Sequence, residues 1–599
     1  MKVFGSSVCH HRKGCPMMLS SLSPRGHEQV PTELALHRWL ARLSHGVSPV
    51  SVSLAYADWF NHLLLSPSKQ VDLLFSAVSK SLVWLQYAAQ SWQDESAPKL
   101  APTPRDKRFV RSDWSQPPFN SLAQAFLLQD QWWAEAMTGV RGVSRHHEEV
   151  AAFTTRQWLD IWSPSNFIAT NPRVLQKTLT TGGENLVNGF SNWWRDALAV
   201  LGDGKPRGVE KFLPGQAVAL TPGKVVFKNR LIELIQYEPA TANVHREPVV
   251  IIPSWIMKYY ILDLTPNDSL AGYLVEQGHT VFMVSWKNPD GDDRNLGLDD
   301  YLECGVMEAI QAIQLIRPQA LIHAMGYCLG GTLLAIASAA LSGRGCHPFK
   351  TLTLLAAQTD FHEPGELGLF IDESQISFLE DLMSERGYLD GRQMAGAFAL
   401  IRSKDLVWSK LVHEYLMGAH TPMTAMRAWN ADATRMPQRM HSEYLRRLYL
   451  HNDLAEGRYR IAGKTISLAD ITVPLFLVAT EADHVSPWKS VYKISGLVSG
   501  PVDFVLSAGG HNAGIVNPPA GPVAHSQAGF RCASHAPGEV LDNPQDWFDA
   551  TPARRGSWWP RWHEWLHAHS SGMIQPAPIK ALAFNGAPLA APGLYVHLS

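Results

Sequence analysis

The strongest constraint on this chain's fold is an alternation that begins near residue 224. Short β-type runs (KVVFKN, LIELIQYEP, PVVIIPS, HTVFMVSW, ALIHAMG, TLTLLAAQTD, VPLFLVATE and VDFVLSAG) are separated by helix-type segments. Strands that alternate with helices pair in parallel, because each crossover helix returns the chain to the same end of the sheet. The predicted core is therefore a mostly parallel, doubly wound sheet of the α/β class. The alternation breaks once, between about 361 and 469, where a long helical and aromatic-rich stretch intervenes. In an open α/β sheet such an insertion lies over the carboxyl ends of the strands, where ligands bind, so it is expected to form a helical cap.

Upstream of the alternation the pattern is helical. From about Thr32 to Trp92 apolar residues recur at three and four, with a break near Ser66-Pro67, which predicts a helical hairpin with an apolar face. The Pro-rich DESAPKLAPTP reads as a linker, and a second helix-rich region runs from about Asn120 to Val200, ending near LGDGKPRG. The expected organisation is a variable tail over 1–31, a helical region over 32–205, and a catalytic domain over 206–599 that carries the cap.

Composition narrows the function. The chain has 599 residues, 46% hydrophobic and 18% charged, enough to bury a large core. A formal charge of -2 without Lys/Arg runs supplies no field to gather nucleic acid. The six cysteines (Cys9, Cys15, Cys304, Cys328, Cys346, Cys532) have no framework spacing, which fits reduced thiols in a cytosol. No apolar run approaches the roughly 18 to 20 residues of a spanning helix and the first residues lack a signal-type apolar region, so neither membrane insertion nor export is expected. Cys9 to Cys15, in CHHRKGC, has no second cluster to complete a four-ligand site, and no metal is expected there.

The chemistry is concentrated where an apolar strand meets a helix of small residues, in ALIHAMGYCLGGTLLAIASAAL. Gly326-Tyr327-Cys328-Leu329-Gly330 has the G-x-S-x-G pattern of a nucleophile elbow with Cys for Ser. The elbow strains the nucleophile's backbone, and side chains in place of the glycines would collide with strand and helix. Cys328 is thus the candidate nucleophile of an α/β-hydrolase-type domain. The Leu329 N–H, at the amino end of the helix, can face a developing oxyanion, and the helix dipole favours a thiolate. Two later strands deliver partners at their carboxyl ends: VPLFLVATE leads to Asp483, and VDFVLSAGGH to His511. Nucleophile, acid, histidine is the chain order that this fold requires, so Cys328, Asp483 and His511 are the expected catalytic residues. His484 competes with His511 but is poorly placed to receive the carboxylate of its own neighbour. The second oxyanion donor is expected from the loop after PVVIIPSW, at the backbone of Trp255 or Ile256.

One rival motif is His563-Glu564-Trp565-Leu566-His567, which matches the zinc-binding H-E-x-x-H pattern. It lies within GSWWPRWHEWLHAH, whose Trp spacing reads instead as a packed amphipathic helix, and no third ligand is apparent in sequence. No cofactor is implied.

These residues, together with DKRF and Trp114, SPSNFIATNP, GENLVNG, YYILDLTPNDSLAGYLVEQGHTVFMVSWKNPDG, MGYCLGGTL, ADHVSPW, GGHNAGIVNPP and GSWWPRW, resemble the polyhydroxyalkanoate synthases, and among them the class I form. The resemblance spans nearly the whole chain. Trp429, Asn430, Asp432 and Tyr449 match the family's cap region without a clear chemical role. The first twenty-odd residues and AHSQAGFRCASHAPGEVLDN, after His511, do not match it. The resemblance implies polymerisation of (R)-3-hydroxyacyl-CoA, of which 3-hydroxybutyryl-CoA is the expected form, with release of coenzyme A through a thioester on Cys328. It further implies a homodimer at the surface of a cytoplasmic polyester granule, with phasin-type proteins as partners. A cysteine thioesterase or depolymerase is the alternative, because a triad alone does not choose between water and an alcohol as acceptor.

Overall fold

A computed structural model describes residues 40–41, 44, 46–91, 108–201, 205–391, 393–394, 396, 403–521, 528–539, 543–582 and 589–599. Cys9, Cys15, the expected tail over 1–31 and the DESAPKLAPTP linker lie outside the described residues.

One ten-stranded sheet organises the chain. Its strands are β1 (Gly223–Lys228), β2 (Ile232–Tyr237), β3 (Val249–Ile252), β4 (Val281–Trp286), β5 (Ile322–Tyr327), β6 (Phe349–Leu355), β7 (Leu475–Thr480), β8 (Val502–Ser507), β9 (Gly529–His535) and β10 (Arg554–Arg555). They lie side by side as β1-β2-β4-β3-β5-β6-β7-β8-β9-β10. Pairing is parallel from β4 through β8. It is antiparallel at both ends, β1–β2–β4 and β8–β9–β10. Every residue of β3, β4, β5 and β7 is buried. Strands covered on both faces need apolar residues on both, which is why these segments read as continuous apolar runs.

The eight runs predicted from sequence are β1 to β8. β9 and β10 were not foreseen. In β9, GFRCASH, only Phe530 and His535 are buried, so a strand next to the short edge strand β10 and covered over little of its length leaves no alternation to detect.

Ahead of the sheet stand α1 (Pro49–Leu64), α2 (Pro67–Ser91), α3 (Phe119–Met137), α4 (Arg145–Ile161), α5 (Pro172–Thr180) and α6 (Glu184–Leu201). Pro67 opens α2 directly after the predicted break. Indole N–H groups tie these helices together: Trp59 donates to the Ala136 carbonyl at 2.8 Å, Trp132 to Leu73 at 2.9 Å and Trp84 to Ser121 at 3.0 Å.

Between β6 and β7 the chain runs through α8 (Glu373–Met383) and α9 (Gln438–Tyr444), while α7 (Leu329–Ser342) follows β5 and α10 (Trp559–His569) follows β10. The insertion is bonded to its surroundings from two sides. Gln375 of α8 accepts from the Ser48 N–H at 2.7 Å and donates to the Gly46 carbonyl at 2.6 Å, which fixes the segment before α1. Opposite, Trp429 Nε1 donates to the Lys258 carbonyl at 2.7 Å, Tyr260 Oη to Asp432 Oδ2 at 3.0 Å, and Thr434 Oγ1 to the Trp255 carbonyl at 2.6 Å. Trp429 and Asp432, which match the family's cap region, thus bind the insertion to the loop after β3.

Candidate active site

β5 ends at Tyr327 and α7 begins at Leu329, so Cys328 alone turns the chain, with φ 54° and ψ -124°. A non-glycine residue held there stores strain on the order of 1–3 kcal/mol, which the surroundings must over-determine. They do so through the Cys328 N–H, which donates to the Leu355 carbonyl at 2.8 Å, and through two glycines. A Cβ on Gly326 would overlap the Gly331 backbone, and one on Gly330 would overlap the carbonyls of Ile252 and Pro253 at the end of β3. The elbow glycines are therefore required by backbone contact.

Asp483 and His511 follow the ends of β7 and β8. Asp483 Oδ2 accepts from His511 Nδ1 at 2.7 Å and from Thr480 Oγ1 at 3.0 Å. Its Oδ1 accepts from the backbone N–H groups of Val485 and Ser486 at 2.8 and 2.9 Å. Burial raises the Asp483 pKa, but the facing imidazole and those two N–H groups outweigh it and hold the carboxyl below its ordinary value. Burial likewise pulls the His511 pKa down, yet the charges of Asp483 and Cys328 and hydrogen bonds to both push it well above the usual histidine range. With Nδ1–H committed to Asp483, Nε2 is left for the Cys328 sulfur. The fold thus brings together Cys328, His511 and Asp483; the Asp483 carboxylate is engaged by His511 and not by His484.

Residues outside the expected triad hold it in place. Tyr327 Oη donates to Asn512 Oδ1 at 2.6 Å, and its ring stacks on His511 with centroids 5.5 Å apart. The loop after His511 is pinned by the start of α10: Nε1 of Trp558, the residue that caps the helix, donates to the Gly514 carbonyl at 3.0 Å and Trp559 Nε1 to that of Ile515 at 2.9 Å. Tyr327 and Asn512 adjoin motif residues, which is the signal that could have found them.

Cys328 opens on a cavity of about 140 Å³ walled by Leu329, Phe361, Leu445, Tyr449 and Val485 among others, a mostly apolar lining. Ile256 lines it too, and its N–H is directed only weakly, at 3.4 Å, to Ser254 Oγ. The Trp255 side chain turns away into the core against Trp286 and Tyr301. Tyr449 gains a position here that its sequence context did not indicate: its hydroxyl accepts from Tyr444 Oη at 3.2 Å.

The H-E-x-x-H segment forms α10, with Trp559, Trp562 and Trp565 buried as their spacing predicted. Folding brings histidines that sequence did not suggest. His279 Nε2 lies 3.2 Å from His563 Nδ1, and His245 stacks on His279 with centroids 4.3 Å apart. Among the described residues, however, no group of three or more His, Cys, Asp or Glu side chains is arranged to hold a metal ion.

The strand order, the cysteine elbow after β5, and the acid and histidine after β7 and β8 define an α/β-hydrolase-fold protein, and the family described as alpha/beta hydrolase fold matches residues 247–518. Two further family descriptions are more specific: "Poly-beta-hydroxybutyrate polymerase (PhaC) N-terminus" matches residues 105–274, and "Poly-beta-hydroxybutyrate polymerase N terminal" matches 29–69. The chain is 40% identical to the poly(3-hydroxyalkanoate) polymerase of Methylorubrum extorquens, over 87% of this chain and 85% of that protein. It is 38% identical to the polymerase subunit PhaC of Rhizobium etli, over 84% and 78%, and 37% identical to that of Cupriavidus necator, over 79% and 80%. The chain belongs to the poly(3-hydroxyalkanoate) polymerase family and is an enzyme of the acyltransferase type.

Proposed function

We propose that this enzyme polymerises (R)-3-hydroxyacyl-CoA, with 3-hydroxybutyryl-CoA as substrate, into a polyester held as a thioester on Cys328. The observation that carries the reading is the Asp483–His511 pair facing Cys328 at an apolar cavity. In acylation, His511 takes the thiol proton and the Cys328 sulfur attacks the thioester carbonyl. The bond to the CoA sulfur breaks, and coenzyme A leaves with the proton from His511. In elongation, the 3-hydroxyl of a hydroxyacyl-CoA attacks the Cys328 thioester, with His511 accepting its proton. An ester forms, Cys328 is released as thiol, and it is re-acylated by the lengthened chain as coenzyme A departs. Thioester exchange keeps the acyl group activated at little cost, whereas a serine ester would be lower in energy than its CoA precursor. That difference accounts for cysteine at the elbow. Asp483 orients His511 and stabilises its cation, and the backbone N–H groups of Leu329 and Ile256 serve the oxyanion.

The proposed setting is a homodimer at the surface of a cytoplasmic polyester granule, with phasin-type partners. The apolar residues that α1 and α2 expose, among them Leu74 at 65% and Phe75 at 69%, support an apolar surface as neighbour. Among the described residues no helix is long and apolar enough to cross a membrane. The test is incubation with (R)-3-hydroxybutyryl-CoA. Coenzyme A release accompanied by insoluble polyester is the expected result; release of soluble 3-hydroxybutyrate alone would assign the protein to the thioesterase or depolymerase class.

A further inference from the structure

The cavity beside Cys328 is mostly apolar, so each polar side chain on its wall needs a reason to be there. Several have one within the protein. Gln375 uses both ends of its amide on Gly46 and Ser48, and Thr332 Oγ1 donates to the Gln358 carbonyl at 2.7 Å. The unpaired side-chain nitrogens of Gln358 and His441 are sealed off from the cavity. Two hydroxyls on the wall differ from these. Ser486, in the loop after β7, commits its backbone N–H to Asp483 Oδ1 at 2.9 Å, whereas its Oγ has no hydrogen-bond partner among the described residues. The residue is 4% exposed, and the little surface it keeps open lies on the cavity wall. Tyr449, in the insertion just after α9, is half-buried, with its ring against that of Phe361 at a centroid distance of 4.8 Å. Its Oη accepts from Tyr444 Oη at 3.2 Å, which leaves its own proton without an acceptor among the described residues. The two hydroxyls reach the cavity from different layers, Ser486 from the sheet and Tyr449 from the insertion.

Two uncommitted O–H donors on an otherwise aliphatic and aromatic wall are matched by a ligand that is aliphatic but carries an oxygen. A hydroxyacyl unit has this chemistry, and its 3-hydroxyl both donates and accepts. Burial, joined by the charges of Cys328 and Asp483, raises the Tyr449 pKa, so its hydroxyl stays a donor and does not compete with His511 for a proton. We infer that the hydroxyls of Ser486 and Tyr449 bind the 3-oxygen of the incoming hydroxyacyl unit and turn it toward His511 and the Cys328 thioester. This rests on the proposed function. In the attack the 3-hydroxyl proton passes to His511, the new carbon–oxygen bond forms, and the carbon–sulfur bond to Cys328 breaks. The sulfur then takes the proton from His511, while Ser486 and Tyr449 keep theirs. Both residues therefore serve elongation, which has an attacking hydroxyl, more than acylation, which has none.

The experiment separates the two steps by quenched-flow measurement of coenzyme A release from the full-length wild type, Ser486→Ala and Tyr449→Phe. Butyryl-CoA can acylate Cys328 but, lacking the hydroxyl, stops there, so its burst reads acylation alone. Steady-state release from (R)-3-hydroxybutyryl-CoA includes elongation. Each variant removes one oxygen and keeps the rest of the side chain. Each should lose about tenfold in steady-state release from the hydroxylated substrate, or about 1.4 kcal/mol, the scale of one hydrogen bond. That loss should exceed the loss in the butyryl-CoA burst rate by at least about fivefold. A residue with a merely structural role would slow both reactions alike, so a variant that falls short of this ratio overturns the inference for its residue. Should Tyr449→Phe fail to fold, Ser486→Ala decides by the same criterion. A wild type that releases no coenzyme A from (R)-3-hydroxybutyryl-CoA, or that yields only soluble 3-hydroxybutyrate, instead overturns the proposed reaction, and the inference with it.

Discussion

Replacing Asp483 with Asn tests the site through a single atom, and the hydrogen-bond pattern predicts how it will fail. Oδ1 of Asp483 accepts from two backbone N–H groups, at Val485 and Ser486, while Oδ2 faces Thr480 Oγ1 and His511 Nδ1. In Asp483→Asn the amide oxygen must stay with the two backbone donors, because an NH2 group there would oppose them. The NH2 is therefore placed against His511 Nδ1. Two donors cannot face each other at 2.7 Å, so His511 moves its proton to Nε2, and the nitrogen that should accept the Cys328 proton becomes a donor.

The charge is lost as well. His511 is held well above its ordinary pKa against burial by Asp483 and Cys328, and without the carboxylate burial gains ground. A triad whose histidine is held in the wrong tautomer loses on the order of 10³ to 10⁴ in kcat, about 4 to 5.5 kcal/mol of barrier. KM should change little, since Asp483 does not line the cavity. The assay is coenzyme A release with thiol detection, paired with ¹⁵N NMR of histidine-labelled protein to read which ring nitrogen carries the proton. An Asp483→Asn enzyme that keeps more than about a tenth of wild-type turnover, or in which His511 Nδ1 stays protonated, would refute the assignment of Asp483 as the orienting acid.

Two further expectations concern the scaffold. Gly330→Ala drives a Cβ into the carbonyls of Ile252 and Pro253, which are backbone and cannot swing aside, so a loss of about 2–3 kcal/mol and of activity is expected in thermal unfolding and turnover; a wild-type Tm would contradict the elbow packing. Burial depresses His245, His323 and His441 to about 4 from 6.5, so the stability they allow is intact above pH 6.5 and is lost as the pH falls toward 4. At pH 5 the fully buried His441 alone costs on the order of 2 kcal/mol, and His245 and His323 act in the same direction. Urea midpoints followed by tryptophan fluorescence should fall steeply between pH 7 and 5, and midpoints that stay level over that range would refute it.

What could be read from the sequence was whatever local sterics or local periodicity dictate. Gly326 and Gly330 announce the elbow because backbone carbonyls and helix atoms leave no space for a Cβ, and that requirement is carried by five consecutive residues. The approach of Asp483 and His511 to Cys328 followed from apolar runs long enough to be buried strands, each ending in a polar residue. The missing parts depend on closure between distant segments. Gln375 meets the Ser48 N–H across 327 residues, and nothing near either position signals the pairing.

The Trp-rich helix at the end of the chain shows how a correct local reading stops short of a role. Its spacing announced a buried face, and Trp559, Trp562 and Trp565 are buried. Burial alone would be served equally well by leucine. The indole N–H groups of Trp558 and Trp559 reach the carbonyls of Gly514 and Ile515, while Trp562 Nε1 donates to Thr353 Oγ1 at 3.0 Å on β6. A loop carbonyl buried beneath a helix must find a donor, and an indole supplies both the apolar bulk and the N–H. The helix that invited comparison with a zinc motif through its histidines therefore acts on the site through its tryptophans, holding the loop that presents His511 to Cys328.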